Sequence, residues 1–153
     1  EKEYQGVSQI IRERIKRENE ITISDNPNSM TDSYNFTFND TSNIDTQTNT
    51  VVSNGTLVLA AGNTTGEMLT TLKNATNMTG IGYLELRIAG SDLNDSVFEA
   101  STDNGINWQT LVKNTLTVAT SQGTQLLARV TLNSTSASPT PILESLAILY
   151  KQA

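Results

Sequence analysis

Between residues 34 and 38 the chain alternates apolar and polar side chains, with Tyr34, Phe36 and Phe38 on one face and Asn35 and Thr37 on the other. A period of two is that of a pleated strand with one buried face. Related apolar runs predict strands at residues 56–60, from 83 to near Gly90, and at 97–101, 116–119, 125–132 and 142–150. Between them lie turn signals. Asn54-Gly55 and Asn104-Gly105 are the strongest, because Asn and Gly both accept positive φ. Residues 62–66 read as a further turn, and residues 39–49 as a polar loop. Pro139 and Pro141 sit just ahead of the last strand, where a missing N–H costs little.

The first twenty residues follow a different period. Tyr4, Val7, Ile11 and Ile15 recur at spacings of three and four, Ile10 widens the stripe, and Arg12, Glu13, Arg14 and Lys16 flank it. This spacing predicts an amphipathic helix over residues 4–18. The domain plan is therefore a helical arm at 1–20, a linker or first strand at 21–30 around Ile21 and Ile23, and a sandwich at 31–153. The fold class is mainly β, since short strands without intervening helices build sandwiches or barrels. A stripe this narrow suits docking on a neighbouring subunit through Tyr4, Val7, Ile10, Ile11 and Ile15, and the alternative is that the helix folds back and covers its own sheet edge. The chain starts at Glu1 rather than Met, so the expectation is a cleaved upstream segment or a longer polypeptide.

Composition narrows the functions. The net charge is −6, which leaves no basic surface for nucleic acid. The polar fraction is mostly Thr, Asn and Ser, as strands and tight turns require. No run approaches the roughly 20 apolar residues of a membrane-spanning helix. The 153 residues contain neither His nor Cys, which removes imidazole bases, thiolate nucleophiles and the usual zinc ligands. The scattered carboxylates sit beside Asn, Ser, Thr or Gly in turn-like contexts, so no catalytic acid pair and no enzyme are expected.

Asp92, Asn94 and Asp95, or Asp40 and Asp45, offer hard oxygen ligands of the kind calcium takes, without an EF-hand spacing. Turn-forming roles account for them equally, and no cofactor is expected. Trp108, the single Trp, is expected in the core on the same face as Ile106, the rival role being a platform for a sugar ring. Eight Asn residues open N-glycosylation triplets: Asn35, Asn39, Asn54, Asn63, Asn74, Asn77, Asn94 and Asn133. Turn-building Asn next to strand-building Thr produces such triplets unaided, and a glycosylating host is the alternative source.

Three segments carry a resemblance. They are Ser101-Thr102-Asp103-Asn104-Gly105-Ile106-Asn107-Trp108, then Gly123-Thr124-Gln125-Leu126-Leu127-Ala128-Arg129-Val130-Thr131-Leu132, then Pro141-Ile142-Leu143-Glu144-Ser145-Leu146-Ala147-Ile148-Leu149-Tyr150. Together they resemble the jelly-roll, galactose-binding-like β-sandwich module of tailed-virus tail, baseplate, fibre and decoration proteins. The stretches Phe38-Asn39-Asp40, Ile44-Asp45-Thr46 and Asn54-Gly55-Thr56-Leu57-Val58-Leu59 resemble its opening strands more loosely. The likeness covers roughly residues 31–150 and departs at Asn104, where Gly is commoner. It implies a non-enzymatic virion component engaged in assembly or adhesion, at the virion surface or otherwise outside cells. Its expected partners are other subunits of the assembly, copies of this chain among them, or a cell-surface glycan. A carbohydrate-binding module is the first alternative and a surface-layer or filament subunit the second, because one sandwich hosts many functions.

Overall fold

The structure is a computed structural model that describes residues 26–153. The predicted helix, its docking residues Tyr4, Val7, Ile10, Ile11 and Ile15, and the expected strand at Ile21 and Ile23 lie outside the described residues. Every regular element among the described residues is a strand. In chain order these are β1 (Asp32–Phe36), β2 (Ile44–Thr48), β3 (Thr50–Ser53), β4 (Thr56–Leu59), β5 (Thr65–Thr70), β6 (Lys73–Asn74), β7 (Ile81–Ser91), β8 (Val97–Ser101), β9 (Gln109–Thr110), β10 (Leu116–Val118), β11 (Gln125–Asn133) and β12 (Ile142–Gln152).

They form two antiparallel sheets of six strands each. The first runs β10-β7-β12-β4-β3, with β1 alongside the later half of β12; the second runs β2-β5-β11-β8-β9, with β6 on the start of β11. Alternation along each strand supplies the filling between them. Leu126, Ala128, Val130 and Leu132 of β11 point inward, and Leu84, Leu86, Leu146, Ile148 and Tyr150 reach across from β7 and β12. Tyr34, Phe36 and Phe38 form an aromatic row in the same core, with ring centroids 4.6 Å and 6.3 Å apart. Phe38 keeps its inward place from beyond the end of β1 at a φ of 56°.

Two expectations from the pattern need correction. The polar loop at 39–49 contains β2, which pairs with β5, a strand the apolar pattern also missed. β2 is an edge strand with little burial in which Ile44 is the one apolar residue, and the inward row of β5 is Gly66, Met68 and Thr70, so neither strand shows apolar alternation. The return strand expected across residues 106–111 shrinks to Gln109–Thr110. The turn itself is as predicted. Asn104 and Gly105 have φ of 58° and 85°, and the Ile106 N–H donates to the Asp103 carbonyl. Asn54 and Gly55 likewise join β3 to β4 in a two-residue hairpin.

The core also fixes a pH limit. Tyr150 is fully buried and its hydroxyl donates to Asp32 Oδ2 at 2.9 Å. Burial, and then the neighbouring carboxylate, push the phenol well above its ordinary value. The folded state therefore holds this proton more tightly than the unfolded chain does. The corresponding stability is intact below the unfolded value of about 10 and is lost as pH rises toward the folded one. Tyr150→Phe is expected to lower stability at about pH 8 by ~1 kcal/mol through the lost hydrogen bond. Between about pH 8 and about pH 11 it should lose less stability than the native chain. Urea midpoints at the two pH values measure this; an equal alkaline loss in both proteins would contradict it.

Candidate functional cleft

The two sheets part along the β7–β8 side. Beyond Leu86, which Lys113 and Asn114 cover, no strand pairs with the outward edge of β7 among the described residues. Backbone groups of Gly82 and Leu86 point to that side, so by alternation those of Ile88 do too. Opposite, β8 is paired by β9 only at Glu99 and Ala100. The gap is a cleft of about 430 Å³. Leu86, Ile88, Leu93, Phe98 and Leu111 form its apolar walls, and Asp92, Asn94, Ser96 and Lys113 its polar rim, with Val112 63% exposed at the mouth. An apolar floor with a few polar groups at the rim is the usual form of a recognition site.

The loop forming one lip is held by the residues considered for calcium. Asp92 Oδ2 accepts from the Thr140 N–H at 3.3 Å, Asp95 Oδ2 from the Thr135 hydroxyl at 2.6 Å, and the Asp95 carbonyl from Asn133 Nδ2 at 2.9 Å. Asp92 itself has a φ of 55° and opens a turn closed by Ser96 N–H to the Leu93 carbonyl. These carboxylates pin the lip to residues 133–140, as turn-forming Asp residues do. Asp40 accepts from the Ser42 N–H at 2.9 Å and does the same locally, while Asp45 lies on β2. Among the described residues no three of His, Cys, Asp and Glu gather as a metal-sized group, and no helix is long and apolar enough to cross a membrane.

Trp108 corrects a further expectation. It does not join the buried core cluster, and Ile106, expected on its face, is 79% exposed. The segment from Ser101 to Trp108 is a loop tied to Gln125, through Asn104 N–H to the Gln125 carbonyl and Gln125 N–H to the Thr102 carbonyl, and the carboxylate of Asp103 organises its backbone. Asp103 accepts from the Asn107 side chain at 2.7 Å, and from the Asn107 N–H and the Ser101 hydroxyl at 2.8 Å each. These donors, Asn107 foremost, hold the Asp103 carboxyl well below the usual carboxylate range. The Ser101 oxygen in turn accepts from the Gly105 N–H at 2.8 Å. Trp108 thereby lands on the outer face of the second sheet, partly buried, with the Arg129 guanidinium 4.1 Å from its ring centre. Arg129 donates twice to Glu99 at 3.0 Å, which fixes the cation under the ring and raises its pKa.

The glycosylation triplets scatter rather than converge. Asn35, Asn39, Asn54, Asn74, Asn77 and Asn94 are exposed, and Asn94 stands on the cleft rim. Asn63 and Asn133 are partly buried and already engaged. Asn63 Nδ2 donates to the Ala60 carbonyl at 3.1 Å, and Asn133 Oδ1 accepts from the Thr65 hydroxyl at 2.8 Å. Leu93, Val112 and Lys113 of the cleft carry no motif, and it is the topology that brings their segments together.

No protein-family profile matches the chain, and no curated protein matches it. Among solved structures it is similar to the crystal structure of Drosophila melanogaster CENP-C bound to CAL1. That likeness is at 9% identity and a TM-score of 0.26, over 68% of this chain and 80% of that one. A likeness so weak carries no argument about function.

Proposed function

We propose that this chain is a non-enzymatic structural domain of an extracellular assembly, built on a jelly roll of the galactose-binding-like type. The setting implied by the sequence resemblance is a virion tail, baseplate, fibre or capsid decoration. The observation that carries the proposal is the cleft between β7 and β8. Its edge from Ile88 onward offers backbone hydrogen bonds, and its floor offers an apolar socket. That combination fits strand addition, in which an extended segment pairs with a sheet edge and inserts alternate side chains. The occupant is a segment of a neighbouring subunit, a second copy of this chain in a homo-oligomer.

Val112→Asp tests this without disturbing the core, because at 63% exposure its effect on folding should stay within about 0.5 kcal/mol. The expected result is native stability with incorporation into purified particles, or self-association, reduced at least about tenfold, the equivalent of ~1.4 kcal/mol. Immunogold labelling of the native particle gives the second readout. Unchanged incorporation by the variant, or a native protein found only free of any particle, would refute the proposal.

A second reading is favoured by Trp108. A partly exposed indole beside a fixed Arg129–Glu99 pair has the make-up of a glycan contact, an apolar ring face next to hydrogen-bonding charges. On this reading the domain is a carbohydrate-binding module. Binding on a glycan array that Trp108→Ala abolishes and Val112→Asp leaves intact would select it over strand addition.

A further inference from the structure

Two turns carry the same dipeptide in nearly the same conformation, and the Asn of each is exposed. Asn54-Gly55 joins β3 to β4 with φ of 53° and 77°, and Asn104-Gly105 follows β8 with φ of 58° and 85°. They differ in what holds the glycine nitrogen. The Gly105 N–H donates to Ser101 Oγ at 2.8 Å, and the Asn104 N–H donates to the Gln125 carbonyl at 3.0 Å. The Asp103 carboxylate, kept ionised by its Asn107 and Ser101 donors, is the preceding side chain. At the other turn Ser53 and Thr56 pair, and the Thr56 hydroxyl returns to the Ser53 carbonyl at 2.8 Å. The hydrogen bonds of that turn thus close on its flanks. Among the described residues the Gly55 N–H has no acceptor.

We infer that Asn54 is a site of spontaneous deamidation, and that Asn104, with the same following residue, is protected by the hydroxyl of Ser101. The reaction needs no enzyme, and water is its only co-reactant. The Gly55 nitrogen attacks Asn54 Cγ and a bond forms between them. The side-chain nitrogen leaves as ammonia, taking the proton that the backbone nitrogen gives up. Water then opens the resulting succinimide ring at either carbonyl, giving aspartate or isoaspartate. Glycine favours the attack because it has no side chain to crowd the approach. At Asn54 the attacking nitrogen gives up only contact with solvent. At Asn104 it must first leave Ser101 Oγ, and a net hydrogen bond is worth enough to slow the attack several-fold. Negative charge also gathers on the attacking nitrogen and then on the former amide oxygen, and the neighbouring Asp103 carboxylate opposes it. The product alters the edge of the first sheet, where β3 is the outermost strand. It adds one negative charge at the hairpin tip, and isoaspartate lengthens the two-residue turn by a methylene. Either product also ends Asn54 as the acceptor of its glycosylation triplet. This chemistry is independent of the cleft and its occupant.

Incubating the full chain in mildly alkaline buffer and mapping its peptides by mass spectrometry reads both sites in one sample. Conversion at Asn54, with isoaspartate among the products, is expected to run at least about tenfold faster than at Asn104, the equivalent of ~1.4 kcal/mol. In strong urea the two rates should converge, because glycine follows both residues. Ser101→Ala frees the Gly105 N–H and should raise the rate at Asn104 about threefold or more, with the rate at Asn54 unchanged. Equal rates in the folded protein, or faster conversion at Asn104, would overturn the inference. So would a difference that persists in urea, because sequence neighbours rather than the fold would then set it. A folded Ser101→Ala protein in which Asn104 is as slow as before would also overturn it. Should that variant unfold, the native chain decides: the ratio of the two rates must be large when folded and near one in urea.

Discussion

Leu146→Ala is expected to lower the unfolding free energy by about 3–5 kcal/mol. Leu146 is 1% exposed at the centre of the first sheet, with Phe36 beside it on β1 and Ile88 beside it on β7. Strands held on both sides cannot close around a missing isobutyl group, so most of the cavity should persist. That places the substitution near the upper end of the Leu→Ala range. Against a total of about 5–15 kcal/mol for a domain, the loss is severe. Leu116→Ala, at 39% exposure on the edge strand β10, should cost no more than about 0.5 kcal/mol. Urea titration separates them, with a displaced midpoint and an unchanged slope for Leu146→Ala. A loss below about 1 kcal/mol would mean that the two sheets do not pack as described. The consequence reaches the cleft, because Ile88 both supports Leu146 and lines the cleft wall.

The strands legible in the sequence are those that carry an apolar run, alternating in β8 and β11 and unbroken in β12. β8 appears at Val97–Ser101 as predicted, and β11 and β12 extend their predicted runs by one and two residues. β2 and β5 stayed hidden because edge exposure and a Gly–Met–Thr inward row erase the contrast on which period-two reading depends. Alternation misplaces Trp108 for a related reason. From Ile106 to Trp108 the chain is a loop organised by Asp103, where parity no longer assigns a face. The cleft was illegible because it depends on where β9 and β10 stop covering β8 and β7. That is a property of register, which no short motif encodes.

Gly90→Ala should cost about 3 kcal/mol, and its partner experiment, Gly62→Ala, about 1 kcal/mol. Both glycines have positive φ, 156° and 81°, so each substitution forces an L side chain into a rarely adopted backbone conformation. They differ in the space available. A methyl group at Gly62 would meet nothing within 4 Å, so only conformational strain is felt there. At Gly90 it would lie far inside van der Waals contact of the Ile142 carbonyl and 2.9 Å from Leu93 Cδ1. β7 would have to separate from the start of β12 at the point where their register shifts between Leu143 and Ser145. Because Gly90 and Leu93 both line the cleft, the same displacement would move its wall. Gly90→Ala should therefore reduce particle incorporation or self-association even at a temperature where the variant remains folded, while Gly62→Ala should leave both near native levels. Equal losses of stability in the two variants would show that the close approach of β7 to Ile142 is absent. A folded Gly90→Ala variant that incorporates normally would detach the cleft from the assembly function.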